Sequence, residues 1–222
     1  MRRDMLSHIS LTDAGLDLAD AGEHCVGEVL LTSLGYADVI LAVGEDELGG
    51  DLVEHLRAFE TLRIYNLAHL TSALLFGGEH SVDDAVERVH PTTTAAWGGP
   101  SERGVWTLDL HSDRPFHPEC LRQWAAELAG QDACACGCFW LPSRPGAICT
   151  WEVSGATTTV GTAGTWGGED AFTHIVVTGT GSASVRQSIR DAFHRILMSP
   201  EEMPHALAWV GADDGLGDWF PD

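Results

Sequence analysis

The first hundred residues alternate between stretches with helical spacing of apolar positions and short apolar runs. The helical spacing predicts three helices, over 23–34, 51–59 and 68–76, with Gly35 ending the first of them. The continuous apolar run at 38–43 is typical of a strand buried on both faces, and 62–65 predicts a second short strand. This order predicts half of a doubly wound parallel α/β sheet. We expect its open edge to be covered by another chain or by the rest of this one.

The pattern changes to longer extended segments after residue 103. Strands are predicted over 104–110, 134–141, 147–154, 156–161 and 172–178. Helices are predicted over 118–129 and from Ser182 or Ser184 to about Leu197, the second with an apolar stripe at Val185, Ile189, Phe193 and Ile196. The economical arrangement is a mostly antiparallel sheet with two helices on one face, which is an α+β sandwich.

Glycine and proline clusters at 91–103 divide the two patterns, so residues 81–103 are interpreted as a linker. The fold class is therefore a partial doubly wound parallel α/β segment followed by an antiparallel-sheet α+β sandwich. We predict three parts: a partial α/β segment over 1–100, an α+β domain over 104–200 and an acidic aromatic tail over 201–222. Trp209 and Trp219 lie in the tail, where aromatic side chains often dock on partners.

Charge narrows the possible functions of this 222-residue chain. Its formal net charge is −21, from 33 acidic and 12 basic residues, and all the basic residues are arginine. A P-loop requires a lysine against the terminal phosphates, so this sequence contains no P-loop. Nucleic-acid binding requires clustered basic residues, and we expect no direct nucleic-acid contact. No apolar run is long enough to span a membrane and no apolar block follows Met1, so we expect a cytoplasmic protein.

Several motifs together indicate a family. Arg114-Pro115-Phe116-His117-Pro118 precedes the 118–129 helix, a strand ends at Phe139-Trp140-Leu141, and a turn at 142–146 leads to a second strand. This order of elements resembles the C-terminal domain of the CobW family, GTPases linked to metal delivery and cobalamin synthesis. The resemblance implies that residues 37–46 correspond to the last strand of the family's GTPase domain and its guanine-reading motif.

That guanine-reading motif, Asn-Lys-x-Asp in the family, is degenerate in this sequence. Val43 and Gly44 replace the asparagine and the lysine, and only Asp46 remains. A lone aspartate here is interpreted as a turn residue, because without the other two side chains the pocket has neither a shape nor a stacking wall. The family's Cys-x-Cys-Cys metal motif also has no counterpart. No nucleotide or other cofactor is expected from this chain alone.

One divergent branch of the family, the actinobacterial CobW-like group poor in nucleotide-site residues, resembles the chain further. The motifs that carry this resemblance are Arg114 to Pro118, Met198 to Met203 and Gly217-Asp218-Trp219. The branch includes factors that recruit a hibernation protein to ribosomes under zinc limitation. The resemblance implies a non-catalytic protein-interaction module in metal homeostasis, zinc above all, that contacts ribosome-associated factors through protein.

The alternative is an enzyme, the distal half of a GTP-dependent metallochaperone. Its P-loop would lie on another polypeptide or would have been lost by truncation of the gene. Micromolar affinity of this chain for GTP would contradict the module hypothesis. The identity of the protein partner and the oligomeric state are left open by the sequence.

Cys134, Cys136 and Cys138 are the sharpest chemical feature of the sequence. On a strand these residues share one face, and three soft thiolates on one face suit Zn²⁺ or Cu(I). The spacing is awkward, because residues two apart lie about 6.6 Å apart along a strand, whereas thiolates on one zinc lie about 3.8 Å apart. A bulge at Gly137 would bring two together. The alternative is that the thiols are small buried apolar groups.

Two further side chains bear on chemistry. If the turn centres on Arg144, Cys149 faces Phe139 and points away from the three cysteines. His117 would need a carboxylate partner to act as a base, and the simpler interpretation is a capping or packing role at the start of a helix. No arrangement typical of nucleophilic or acid–base catalysis occurs, so no catalytic residue is predicted.

Overall fold

A computed structural model describes residues 3–6, 9–15, 24–155 and 157–220 of the chain. The first part contains helices α1 (Val26–Tyr36), α2 (Glu47–Leu56), α3 (Ser72–Phe76) and α4 (Val82–Val89), with strands β1 (Val39–Leu41) and β2 (Leu62–Ile64). The two strands pair in parallel, with Ile40 opposite Arg63. A 3₁₀ helix at Arg3–Leu6 buries Met5 and Leu6, while much of the sequence before α1 lies outside the described residues.

The second part contains a five-stranded antiparallel sheet in the order β3-β7-β4-β5-β6. Its elements are β3 (Trp106–Ser112), α5 (Pro118–Ala129), β4 (Ala133–Phe139), β5 (Ala147–Ser154), β6 (Thr157–Thr165), β7 (Thr173–Gly179) and α6 (Ala183–Ile196). The mixed α/β and α+β fold class predicted from the sequence is confirmed. The register is confirmed as well, because Phe139 pairs with Cys149 across β4 and β5.

Helices α5 and α6 cover one face of the five-stranded sheet. The main core lies between them and the inward side chains of the strands. Phe116 packs on Phe139 and Phe193, with ring centroids 5.0 and 5.8 Å apart. The apolar stripe predicted for the last helix is the buried face of α6, where Ile189 and Ile196 are fully enclosed. The periodicity of these helices therefore identified the correct faces.

The first part of the chain covers the opposite face of the same sheet. A second core cluster joins Leu52 and Val53 of α2 and Ile40 of β1 to Val105 and Cys134 of the second part. The buried ring of His55 on α2 adds a polar link, because its Nδ1 lies 2.7 Å from Oγ1 of Thr107 on β3. The five-stranded sheet is thus the middle layer of three. The boundary near residue 100 stays a prediction.

Two predictions for the first part were wrong. The 38–43 run is not buried on both faces, because Ile40 is enclosed while Leu41 is 37% exposed and Val43 is 55% exposed. That face is covered only in part, since Ile64 on the same side of β2 is buried while Leu41 is not. Gly35 does not end α1 either, since the helix continues to Tyr36. A Cβ at Gly35 would lie 2.7 Å from Cγ1 of Val89, so this glycine lets α4 pack closely on α1.

The tail from Ser199 to Phe220 folds back on the second part. It forms 3₁₀ helices at Met203–Trp209 and Gly217–Trp219. Leu216 is fully buried in the main core, and Trp219 and Phe220 pack against that core. The Trp219 ring therefore contacts its own domain, and docking of the tail on a partner stays a prediction. None of the helices in the described part of the chain combines the length and apolar character needed to cross a membrane.

Candidate functional site

A cleft lies at the carboxyl ends of β1 and β2, beside the start of α2. Ligands of open α/β sheets bind at this position, because the strand ends and the helix N-terminus meet there. The cleft has a volume of about 440 Å³, and its polar lining is Glu45, Asp46, Glu47, Asp51, Glu54, Arg63, Tyr65 and Arg103. Five of these side chains are carboxylates and two are guanidinium groups. The cleft beside the degenerate guanine-reading motif is therefore acidic.

Glu54 is the centre of the hydrogen-bond network on one wall of the cleft. Its carboxylate accepts hydrogen bonds from Arg57 at 3.0 Å, from the Tyr65 hydroxyl at 2.8 Å, and from Arg63. Burial opposes ionisation of Glu54, but the hydrogen bonds from Tyr65, Arg57 and Arg63 outweigh it and lower the pKa of the carboxyl. The Arg63 guanidinium stacks on Tyr65, 4.5 Å from the ring centroid. Arg63 is thus held within the wall.

Arg103 is bound by two other carboxylates of α2. Its guanidinium donates to Glu47 at 3.0 Å and to Asp51 at 3.1 Å, and these bonds raise the pKa of Arg103. Both arginines of the cleft are therefore engaged by carboxylates. A phosphate entering the cleft would meet more negative than positive charge and would have to displace existing ion pairs. The geometry disfavours a nucleotide.

The three positions of the degenerate motif are placed by the turn between β1 and α2. Gly44 adopts φ +118°, a conformation that suits glycine and disfavours a lysine. Asp46 is the N-cap of α2, and its Oδ1 accepts a hydrogen bond from the Gly49 amide at 3.1 Å. The interpretation of Asp46 as a turn residue agrees with this capping role.

The three cysteines of β4 share the face that looks toward the first part of the chain. Cys134 packs with Leu52 and Val105, whereas Cys138 packs with Ile148 and Trp166 in a separate cluster. The ladder runs through Gly137 without a bulge on either side, so the strand stays extended. The thiols are therefore spaced along the strand at intervals of about 6.6 Å. They do not fit a single zinc ion in this arrangement.

The protonation of these thiols agrees with a packing role. Burial raises the pKa of Cys134 to about 12 and that of Cys138 to about 11, which keeps both groups as thiols. Cys136 is exposed, and its Sγ accepts a weak hydrogen bond from Thr94 at 3.8 Å. Across the described ranges no group of three or more His, Cys, Asp or Glu side chains is arranged to hold a metal ion. Metal binding by Cys134, Cys136 and Cys138 stays a prediction.

His117 occupies the N-cap position of α5 without a side-chain capping bond. Its backbone amide donates to the Ile196 carbonyl at 2.7 Å, which fastens the start of α5 to the end of α6. Its ring lies edge-on to Trp209 of the tail, with centroids 5.3 Å apart, and its buried Nδ1 has no hydrogen-bond partner in the described residues. The packing role predicted for this side chain agrees with these contacts.

The sequence did not identify Asp214, the buried carboxylate of the tail. Its side chain accepts hydrogen bonds from Ser143 at 2.6 Å and from Arg144 at 2.8 Å, and Arg144 also lies over the Phe220 ring. Burial opposes the charge, but the bonds from Ser143 and Arg144 prevail and lower the pKa of Asp214. Nothing in the run Asp213-Asp214-Gly215 marks which carboxylate is buried.

Comparison with solved structures returns two similar chains. One is the Zn(II)-bound YjiA GTPase from E. coli, with 17% identity and a TM-score of 0.46. The other is a Zn(II)-bound triple mutant of YjiA GTPase, with 16% identity and the same TM-score. Each alignment covers 76% of this chain and 55% of the YjiA chain, so this chain spans little more than half the length of these proteins.

Sequence comparison finds one similar family domain. No curated protein sequence matches the chain significantly. Residues 105–197 match the model of the cobalamin synthesis protein cobW C-terminal domain. The matched segment begins just before β3 and ends just after α6, so it covers the five-stranded sheet and both of its helices. This segment of the chain is therefore similar to the CobW C-terminal domain.

Proposed function

We propose that the chain is a protein-interaction module that acts without a nucleotide site of its own. The observation that carries the proposal is the distribution of exposed apolar side chains. Of the sixteen large apolar side chains exposed among the described residues, twelve lie between 36 and 86. We call these twelve the apolar α/β surface: Tyr36, Leu41, Val43, Phe59, Leu62, Tyr65, Leu67, Leu74, Leu75, Phe76, Val82 and Val86.

The apolar α/β surface includes part of one face of the two-stranded sheet. Leu41 and Leu62 lie on the same side of β1 and β2, opposite the side that Ile40 turns toward α2. Both are exposed, at 37% and 44%. Concentrations of apolar side chains on a surface favour contact with another protein, because burying them removes apolar area from water. Contact with a partner would cover the part of this face that is exposed.

The acidic cleft supports the absence of nucleotide chemistry. A GTP site needs a cationic cradle for the phosphates, and here Arg63 and Arg103 are already engaged by carboxylates. The net charge of −21 also disfavours direct contact with ribosomal RNA. Any contact with a ribosome would therefore pass through a protein.

The proposed context is metal homeostasis, with zinc as the leading metal. It rests on the match of residues 105–197 to the CobW C-terminal domain and on the motifs that resemble the branch responding to zinc limitation. In this proposal the metal acts through the partner or through expression of the chain, since the cysteine row does not fit one zinc ion. We propose a cytoplasmic location on the same basis.

Two measurements test the proposal. Calorimetric titration of the whole chain with GTP and Mg²⁺ should give no heat of binding, and micromolar affinity would refute the module hypothesis. A tagged chain should recover the same partner from zinc-limited cells of its native host. A variant with Leu41→Ser and Leu62→Ser should lose that partner, whereas Val210→Ser, which changes an exposed apolar residue outside the surface, should retain it.

The alternative function is the distal half of a GTP-dependent metallochaperone. It is favoured by the position of the cleft at the carboxyl ends of two parallel strands that have no further strand beside them in the described part of the chain. In this case the partner brings the P-loop and its lysine. GTP hydrolysis would then appear only when chain and partner are mixed, and it would disappear with the Leu41→Ser and Leu62→Ser variant.

A further inference from the structure

The two edges of the five-stranded sheet differ in charge. At one edge β3 carries Asp109, whose carboxylate lies 2.6 Å from Nε2 of His174, and also His111. At the other edge β6 runs for nine residues, and no charged residue occurs between Glu152 and Glu169. Natural edge strands are usually protected from pairing by charges, prolines, short length or bulges. β6 has only a register shift beyond Thr162.

The hydrogen-bond alternation identifies which backbone groups of β6 face outward. The Thr180 amide donates to the Asp132 carbonyl at 3.1 Å, so these two residues form a hydrogen-bonded pair at the end of the β4–β7 ladder. Such pairs alternate along an antiparallel ladder and exchange sides from one strand to the next. This alternation continues from β4 through β5 to β6. On β6 the backbone amides and carbonyls of Thr158, Val160 and Thr162 point away from β5, toward the free edge of the sheet.

These outward backbone groups form no hydrogen bond in the described part of the chain, although the tail 3₁₀ helix at Gly217–Trp219 contacts β6. No hydrogen bond outside the β5–β6 ladder involves the backbone of Thr158, Val160 or Thr162 there. The side chains of Thr158 and Thr162 are exposed, and that of Val160 is half-buried against the main core. Three amides and three carbonyls are thus presented in the spacing that another strand would match. Threonine and valine side chains, which favour strand pairing, flank them.

Charge indicates which strand would pair there. A basic segment would be attracted to the carboxylates elsewhere on this chain rather than to an uncharged strand. Two copies of the chain repel each other, since each carries −21. They approach each other most easily where carboxylates are few, and β6 itself carries none, the exposed Asp218 lying on the tail helix beside it. The nearest charged residue on the neighbouring strand, Glu152, lies one strand inward, about 4.8 Å from the edge.

We propose that β6 is a self-association edge, on which a second copy of this chain adds its own β6 in antiparallel orientation. The two-fold axis passes through Val160. Thr158 then faces Thr162 of the other copy, and all three outward residues of each copy take part. The result is a continuous ten-stranded sheet across the dimer. This surface is separate from the apolar α/β surface, so the dimer does not depend on the proposed function.

Salt distinguishes this interface from one made by opposite charges. Sedimentation velocity should follow the whole chain up to about 100 µM, because a single strand pair is a small and therefore weak interface. Raising NaCl from about 0.1 M to about 1 M shortens the Debye length from about 10 Å to about 3 Å. Screening weakens the repulsion between copies, so the dimer fraction should rise with salt. A monomer at every concentration and salt, or a dimer that dissociates as salt rises, would overturn the proposal.

Two double variants test the pairing and its register. Thr158→Glu with Thr162→Glu puts like charges opposite each other at both ends of the axis and should give a monomer. Thr158→Glu with Thr162→Lys alters the same exposed positions but puts opposite charges across the axis, and the dimer should persist or strengthen at least tenfold. Far-ultraviolet circular dichroism should match the wild type in both. A dimer unaffected by the first variant, or abolished equally by both, would contradict the assigned edge and axis.

Discussion

The ion pair between Asp214 and Arg144 is predicted to fasten the C-terminal tail to the domain. Asp214→Asn keeps the volume and the acceptor for the Leu216 amide, which lies 3.0 Å from Oδ1, but removes the charge that Arg144 pairs with. Hydrogen bonds to charged groups contribute about 1.5–3 kcal/mol each. The Arg144 side chain is 29% exposed, so water replaces part of the lost interaction. We therefore expect the free energy of unfolding to fall by about 1.5–2 kcal/mol.

The effect should depend on pH, because the pKa of Asp214 is lowered in the folded protein. A group with a depressed pKa stabilises the fold fully above its unfolded value, about 3.9 for aspartate, and loses that contribution as pH falls through its folded value. The asparagine variant has no such contribution to lose. The difference in stability between wild type and variant should be constant at neutral pH and should narrow below about pH 4.

Urea titration followed by tryptophan fluorescence measures this difference. With a denaturant slope of about 2.5 kcal/mol/M for a chain of this size, the midpoint should fall by about 0.7 M. Asp218→Asn is the matched control, because Asp218 is an exposed aspartate of the same tail. Equal midpoints for wild type and Asp214→Asn, or equal shifts for the two variants, would refute the inference that this carboxylate holds the tail in place.

Three further predictions concern packing and the cysteines. Gly137→Ala should destabilise the sheet by at least about 2 kcal/mol in thermal unfolding, because its Cβ would collide with the β7 backbone, whereas Gly146→Ala, which meets nothing within 4 Å, should be neutral. His55→Ala should lower the free energy of unfolding by about 1–3 kcal/mol, because the buried hydrogen bond to Thr107 on β3 is lost. Proteolysis within 91–103 should become faster in this variant, and an unchanged cleavage rate would argue against that link. A disulfide reagent near pH 8 should react with Cys136 before Cys120, because Cys136 is the more exposed, although burial raises the pKa of both thiols. Native mass spectrometry after zinc loading should show the metal-free mass, and a stoichiometric zinc adduct would support a metal site at the cysteines.

The sequence predicted the buried faces best in elements that bury one face at regular intervals. The stripe of α6 and the pairing of Phe139 with Cys149 follow from periods of 3.6 and 2, which the two-layer core enforces. β6 was predicted to end near residue 161, but it continues to Thr165. Its threonines and glycines carry no apolar alternation, since an edge strand has little to bury.

Local signals misled where the deciding contact is distant in sequence. Gly35 has the form of a helix stop, yet its partner is Val89 on another helix. The 38–43 run has the composition of a central strand, because the sequence alone cannot show that one of its faces is only partly covered. For the cysteines, the shared face was correct and the difficulty with their spacing remained, since no bulge shortened the strand.

The middle position of the five-stranded sheet ties the fate of the two parts together. Cleavage within 91–103 and separation of the two fragments would expose Val105 and Cys134 on the C-terminal fragment. It would expose Leu52 on the N-terminal fragment. Neither half is then an independent building block. Fragments that carry only one of the two parts should therefore expose apolar surface and aggregate. The two parts are expected to be retained together in one chain.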